Sequence, residues 1–343
     1  MKAVLLREPK SFEIIELPPS SPPGIGEVLV RVHNVGICGT DIHGYLGSFP
    51  FYSYPRIPGH ELGVEVVAIG EGVDNVQIGD RCSVEPYINC QSCFACQRGH
   101  TNCCESLQVL GVHVDGGMRP EFVVPARKLH VSRHLSFEKL ALVETLAIGC
   151  HAVARGAARA GEDVLIIGAG PIGLSVLEFV KLADARPIVM DAARQRLDFC
   201  QQQMDVSDTV LFEGDGSEEN VIEDLTDGKM PTLVIDATGN NHSMSNALNY
   251  VSFAGRLVYV GITTKEIQFV HPLMHRREMT LLASRNALPE DFRSIISRLE
   301  KGDIDTKPWM THHSTMQSLA RDFPTYVSPA SGVVKAMVTI DSP

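Results

Sequence analysis

The sequence predicts an α/β plus β chain: a β domain drawn from both ends, with a doubly wound parallel sheet inserted between them. Three observations carry this. Short apolar runs punctuated by glycine and proline fill the chain up to about residue 145. Beyond it, six apolar runs alternate with helical stretches. A last strand pattern, 333–340, follows that region and is expected to rejoin the first.

In the first part, 18–24 is a proline-rich turn, and Glu27-Val28-Leu29-Val30-Arg31-Val32 alternates as a half-buried strand does. The stretches 64–70 and 122–125 read alike. The inserted runs are 164–167, 188–190, 209–212, 233–237, 257–260 and 280–283. Near-continuous apolar strands separated by helices indicate a parallel sheet covered on both faces. After Asn286, 291–301 is helical. The expected boundaries are 1–146 and 287–343 for the β domain, with a cysteine lobe at about 86–105, and 147–286 for the α/β domain.

Composition narrows the function. At roughly 150 residues per domain, 343 residues suggest two domains with cores large enough to need no disulfides. Acidic residues outnumber basic ones 41 to 30, a net charge of −11 without a basic cluster, which argues against nucleic acid and anionic membranes as partners. No apolar run approaches a membrane span, and the N-terminal one stops at Leu6, too short for a signal peptide. The expected location is the cytoplasm. Of nine cysteines most crowd between Cys82 and Cys104, and such a cluster reads as metal ligands.

The run 164–167 leads into Gly168-Ala169-Gly170-Pro171-Ile172-Gly173 and an amphipathic helix. This is G-x-G-x-x-G in its strand–turn–helix setting. Gly168 permits the turn, Gly170 lets backbone approach a pyrophosphate, and Gly173 lets helix pack on strand. Pro171 and Ile172 open the helix, whose N–H groups face the phosphates. Asp191 ends the next strand, 18 residues after Gly173, where a carboxylate accepts the adenosine ribose hydroxyls. It also repels a 2′-phosphate, so NAD is favoured over NADP, although Arg194 and Arg196 lie near enough to offset part of that. Thr238-Gly239 and Val260-Gly261-Ile262 end two further strands and line the cofactor crevice, and Ser284 and Asn286 follow the last.

Cys90-x2-Cys93-x2-Cys96-x7-Cys104 matches a closed tetrahedral zinc site, with Cys103 competing for the fourth place. Cys38 and His60 suit two ligands of a catalytic zinc, which needs three and an open position. Glu61 or Glu144 supplies the carboxylate, and spacing does not choose between them.

The motifs Cys38-Gly39-Thr40-Asp41-Ile42-His43 and Gly59-His60-Glu61, the four-cysteine lobe and the glycine fingerprint together resemble the zinc-dependent medium-chain dehydrogenase/reductase (alcohol dehydrogenase) family over nearly the whole chain. That resemblance implies a GroES-like catalytic domain around an inserted Rossmann domain, with the active site in the cleft between them. Ala141-Leu142-Val143-Glu144-Thr145 is similar to a motif of the polyol and sugar-acid branch, with Thr145 in place of the usual proline. The branch implies Cys38, His60 and Glu144 at the catalytic zinc, Glu61 near or intermittently on it, and two zinc ions per chain. It implies that Thr40 and His43 relay the hydroxyl proton while the hydride passes to NAD. Thr101-Asn102-Cys103-Cys104-Glu105, 111–117 and Ser284-Arg285-Asn286-Ala287 resemble the hexonate 5-dehydrogenases, which oxidise sugar acids such as L-galactonate or L-gulonate.

For a substrate carboxylate, Arg285 is the first candidate and His113 the second. The alternatives are a sorbitol-like polyol or simple-alcohol dehydrogenase, and a non-catalytic dinucleotide sensor. A homo-oligomer, dimer or tetramer, is expected through a strand edge within 257–285.

Overall fold

The structure, a computed structural model, describes residues 1–328 and 331–341; the remainder of the expected 287–343 segment lies outside the described residues. The chain divides into two units, Met1–Thr145 with Leu288–Pro343, and Leu146–Ala287.

The first unit is built on a seven-stranded sheet. Its central strand, Glu27–Gly36, alternates buried Val28, Val30 and Val32 with partly exposed Leu29, Arg31 and His33, as the period-2 pattern requires. It pairs antiparallel with Glu61–Ile69, with Glu121–Pro125 and with the C-terminal strand Lys335–Thr339. The register Met337↔Gly36, Val338↔Val35 closes the domain from both ends of the chain. Valines of these strands share a core with Leu62, Phe122, Phe323 and Ile340.

The second unit is a six-stranded, wholly parallel sheet. In chain order its strands are Asp163–Ile167, Arg186–Asp191, Asp208–Leu211, Leu233–Asp236, Arg256–Tyr259 and Thr280–Ala283. Numbered one to six, they lie in the order 3-2-1-4-5-6, the Rossmann arrangement. Leu165, Ile167, Ile188, Met190 and Val234 pack on one face. Val164, Ile166, Val189, Leu233 and Ile235, their sequence neighbours, are equally buried. Both faces of the inner strands are therefore covered, which is why those strands read as unbroken apolar runs. Among the described residues no helix is long and apolar enough to cross a membrane.

Candidate active site

The first unit gathers two metal-ligating clusters, the only such groups of three or more among the described residues. In one, Cys90, Cys93, Cys96 and Cys104 bring their sulfurs within 4.8 Å of one another. N–H groups aim at them: Cys90 N donates to Cys104 Sγ (3.3 Å), Cys93 N to Cys90 Sγ (3.2 Å) and Asn89 Nδ2 to Cys96 Sγ (3.4 Å). Hydrogen bonds from Ser92, then from the Cys93 N–H, hold the Cys90 thiol down at about 5. Thiolates this close repel one another without a cation, so the donor set fits zinc. Cys103 is exposed and outside the group.

The other cluster brings Cys38, His60 and Glu61 within 4.8 Å. Cys38 is the N-cap of the helix Gly39–Leu46, and its N–H donates to Asp41 Oδ2 at 2.9 Å. The other Asp41 oxygen lies 3.9 Å from His60 Nδ1, which has no hydrogen-bond partner although buried. Burial pulls the His60 imidazole down, but Cys38 and Asp41 outweigh it and hold it well above its ordinary range. A half-buried thiol beside a buried imidazole and a buried carboxylate, their donor atoms within 4.8 Å of one another, fit a divalent metal.

Glu61 opens the strand Glu61–Ile69 and is fully buried. Its seat exists because residue 36 is glycine: a Cβ there would lie 2.0 Å from Glu61 Oε2. Both Glu61 oxygens accept from Lys335 Nζ, at 2.6 and 2.8 Å. Glu144 stands outside the closest trio, on the helix Phe137–Gly156, and is also buried. Its Oε1 accepts from the Tyr87 hydroxyl. Burial raises the Glu144 carboxyl, His60 lowers it and Glu61 raises it again, so the three form one electrostatic group. The helix continues through Thr145.

Thr40 is half-buried in the first turn of the Cys38-capped helix. His43 is exposed on the same helix, with Nδ1 3.0 Å from Ser48 Oγ. His113 is exposed on a loop, where its Nδ1 accepts from Val109 N.

In the second unit the fingerprint forms a tight turn. Gly168 has φ +97°, and a Cβ on Gly173 would lie 1.7 Å from the Gly168 carbonyl oxygen. Gly170 caps the helix Pro171–Leu182, and a Cβ on it would meet nothing nearer than Arg196 Nη1 at 3.8 Å. The space beside that helix N-terminus fits a pyrophosphate. Asp191 accepts from Ala169 N and Ala193 N, both at 2.7 Å, which fixes the carboxylate against the turn. Arg196 pairs with it at 3.6 Å but is half exposed.

Thr238 is tied through its N–H and hydroxyl to buried Asp236. Gly261 packs on Gly239, where a Cβ would lie 2.1 Å from the Gly239 nitrogen. Ile262 is 63% exposed. After the last strand, Ser284 has a buried hydroxyl without a hydrogen-bond partner, Arg285 is exposed, and Asn286 adopts φ +51°.

Sequence reasoning missed Lys335, Tyr87 and the backing role of Asp41. Lys335 had a signal, a lone charge in an apolar strand. Tyr87 had none.

Comparison with known proteins agrees with this construction. Residues 24–133 match the alcohol dehydrogenase GroES-like domain, and residues 171–301 match the zinc-binding dehydrogenase domain. An L-galactonate-5-dehydrogenase from Escherichia coli K12 is 38% identical over 92% of this chain and 93% of its own length. The chain belongs to the zinc-binding alcohol dehydrogenase family. It is thus an oxidoreductase, with a GroES-like domain and a Rossmann domain. An L-arabinitol 4-dehydrogenase from Aspergillus oryzae is 31% identical, over 91% of this chain and 86% of its own. A crystal structure of an Escherichia coli CFT073 alcohol dehydrogenase (rspB) with NADH superposes with a TM-score of 0.91, at 30% identity, covering 99% of both chains.

Proposed function

We propose that this family member oxidises a secondary hydroxyl of a sugar acid or polyol to a ketone with NAD+, and that its substrate is a hexonate oxidised at C5. The observation that carries the chemistry is the convergence of Cys38, His60 and Glu61 within 4.8 Å, with the buried Glu144 linked to His60 and Glu61 electrostatically. Zinc there supplies a Lewis acid for the substrate hydroxyl, and NAD+ accepts the hydride from the carbon bearing it.

The chain's own residues do the rest. Cys38, His60 and Glu144 offer three protein ligands, and Glu61 stands beside them. Asp41 backs His60. The Thr40 hydroxyl receives the released proton and passes it toward His43. Contact of His43 Nδ1 with Ser48 leaves Nε2 to exchange the proton with water, and an imidazole suits a relay at neutral pH.

A second zinc on the four cysteines has a structural role. Gly168, Gly170, Pro171, Ile172 and Gly173 bind the pyrophosphate. Asp191 binds the adenosine ribose and favours NAD, since both its oxygens are already committed to the turn and cannot swing away from a 2′-phosphate. Arg196, Thr238, Gly261, Ile262, Ser284 and Asn286 complete the cofactor contacts. Arg285, with His113 second, receives the substrate carboxylate.

The sugar-acid reading is supported by the L-galactonate-5-dehydrogenase relative and the polyol reading by the L-arabinitol 4-dehydrogenases. We read the protein as a homo-oligomer, joined through the edge strand Thr280–Ala283, where Leu281 is exposed. NADH formation screened across stereoisomeric aldonates, polyols and primary alcohols tests the substrate. Turnover of simple alcohols alone would reject both sugar readings, and turnover of polyols without aldonates would reject the hexonate.

A further inference from the structure

The two cysteine-bearing clusters of the first unit are joined by one short span, residues 85–90. Tyr87 sits in its middle, and the Tyr87 hydroxyl donates to Glu144, the buried carboxylate linked electrostatically to His60 and Glu61. Tyr87 and Ile88 form a two-residue strand, paired antiparallel with Gln108–Val109. So short a pair is not stable alone, and its position must come from what flanks it. Both strands run straight into the cysteine lobe: one ends two residues before Cys90, and the other starts at the fourth residue after Cys104.

The two ends of the span are pinned differently. At the near end the Glu85 N–H donates to the Lys128 carbonyl at 2.8 Å, and the buried Glu85 carboxylate pairs with Lys128 Nζ. At the far end stands Asn89, also buried. Its side-chain and main-chain carbonyls accept from Nη1 and Nη2 of Arg127, at 2.7 and 2.9 Å. Its Nδ2 donates to Cys96 Sγ at 3.4 Å, and the next N–H, of Cys90, donates to Cys104 Sγ at 3.3 Å. Two of the four lobe sulfurs therefore hold the main chain that follows Tyr87. With a cation among them the sulfurs close on one point. Without it four thiolates repel, and the groups bonded to them move as they spread.

The structure assigns Asn89 as a positioning residue that ties the four-cysteine lobe to the catalytic cluster: it fixes the chain after Tyr87, so that the phenol meets Glu144 only when the lobe is closed on its metal. This rests on the reading above that both clusters hold zinc. Displacing the phenol leaves a buried carboxylate oxygen without its donor, beside His60 and Glu61. The lobe then has a part in turnover as well as in stability.

A double-mutant cycle on the zinc-loaded enzyme tests this. Asn89→Asp keeps both acceptors for Arg127 but turns an oxygen toward the Cys96 sulfur, where the two repel. It should lower kcat roughly tenfold or more, the loss expected when a hydrogen bond to a charged group is broken, with NADH affinity unchanged. Tyr87→Phe should lower kcat alike, and the double variant should fall no further than Tyr87→Phe. Apart from turnover, the ultraviolet difference spectrum of Asn89→Asp against wild type should show a shifted tyrosine band, which the same substitution no longer produces in a Tyr87→Phe background. Losses of kcat that multiply in the double variant overturn the proposal. So does a tyrosine shift that survives Tyr87→Phe, or wild-type kcat and spectrum in Asn89→Asp. If Asn89→Asp does not fold, Arg127→Gln, which frees Asn89 from outside the lobe, takes its place with the same expectations. Wild-type protein holding zinc only on its four cysteines would instead reject the catalytic-zinc reading, while the spectral arm, which needs no turnover, still decides the tie between lobe and Tyr87.

Discussion

Two glycines of one fingerprint should fail in different ways when replaced by alanine. At Gly173 a Cβ would lie 1.7 Å from the Gly168 carbonyl oxygen, whereas an ordinary carbon–oxygen contact is about 3.3 Å or more. Helix and turn must therefore separate by roughly 1.6 Å at that point, and both are backbone, so no side chain can absorb the shift. Overpacking of this kind costs about 1–3 kcal/mol. Gly173→Ala should lower Tm by several degrees and weaken NADH binding together.

At Gly170 a Cβ meets only a long arginine at 3.8 Å, and the backbone sits at φ −78°, which alanine accepts. Gly170→Ala should leave Tm unchanged or raise it slightly, because alanine narrows the unfolded ensemble. Its methyl nevertheless stands where the pyrophosphate approaches, so the Kd for NADH should rise roughly tenfold to a hundredfold, about 1.4–2.8 kcal/mol. Thermal melts and NADH fluorescence titration on both variants, with zinc content as control, separate the two roles. Wild-type NADH affinity in Gly170→Ala would refute the phosphate cradle, and an unchanged Tm in Gly173→Ala would refute the packing argument.

The remaining predictions concern metal, cofactor and substrate. Elemental analysis should find two zinc ions per chain; Cys93→Ser should lose one and destabilise the fold, while Cys38→Ser should lose turnover with stability largely kept. Fully active protein with one zinc refutes the pair of sites. Asp191→Ser with an added arginine should shift the kcat/KM preference toward NADP, and a wild type that already prefers NADP refutes the role given to Asp191. Arg285→Ala should raise KM for a hexonate far more than for a neutral polyol, with NADH affinity retained. Equal loss on both substrates moves Arg285 away from the substrate carboxylate.

What was legible in the sequence was local or periodic. The dinucleotide turn occupies six consecutive residues, and its glycines are dictated by contacts within that turn, such as Gly173 against Gly168. The four cysteines span 15 residues, so their spacing alone brings four sulfurs together. The parallel sheet was readable because both faces of its inner strands are buried, leaving runs such as 164–167 with no polar position. The return of the C-terminal strand to the β domain could be expected from its pattern, but its partner and register could not.

Tertiary structure alone decided how the carboxylates of the catalytic cluster are held. Cys38, His60 and Glu61 lie close in sequence, yet the groups that control Glu61 and Glu144 arrive from elsewhere. Lys335 comes from 274 residues beyond Glu61, and Tyr87 from 57 residues before Glu144. No periodicity records such pairings, because each is a single contact made when distant strands and a helix pack. The physical reason is burial. In water either carboxylate could serve a metal, but in the interior each needs a partner, and the packed chain gives one an ammonium and the other a phenol.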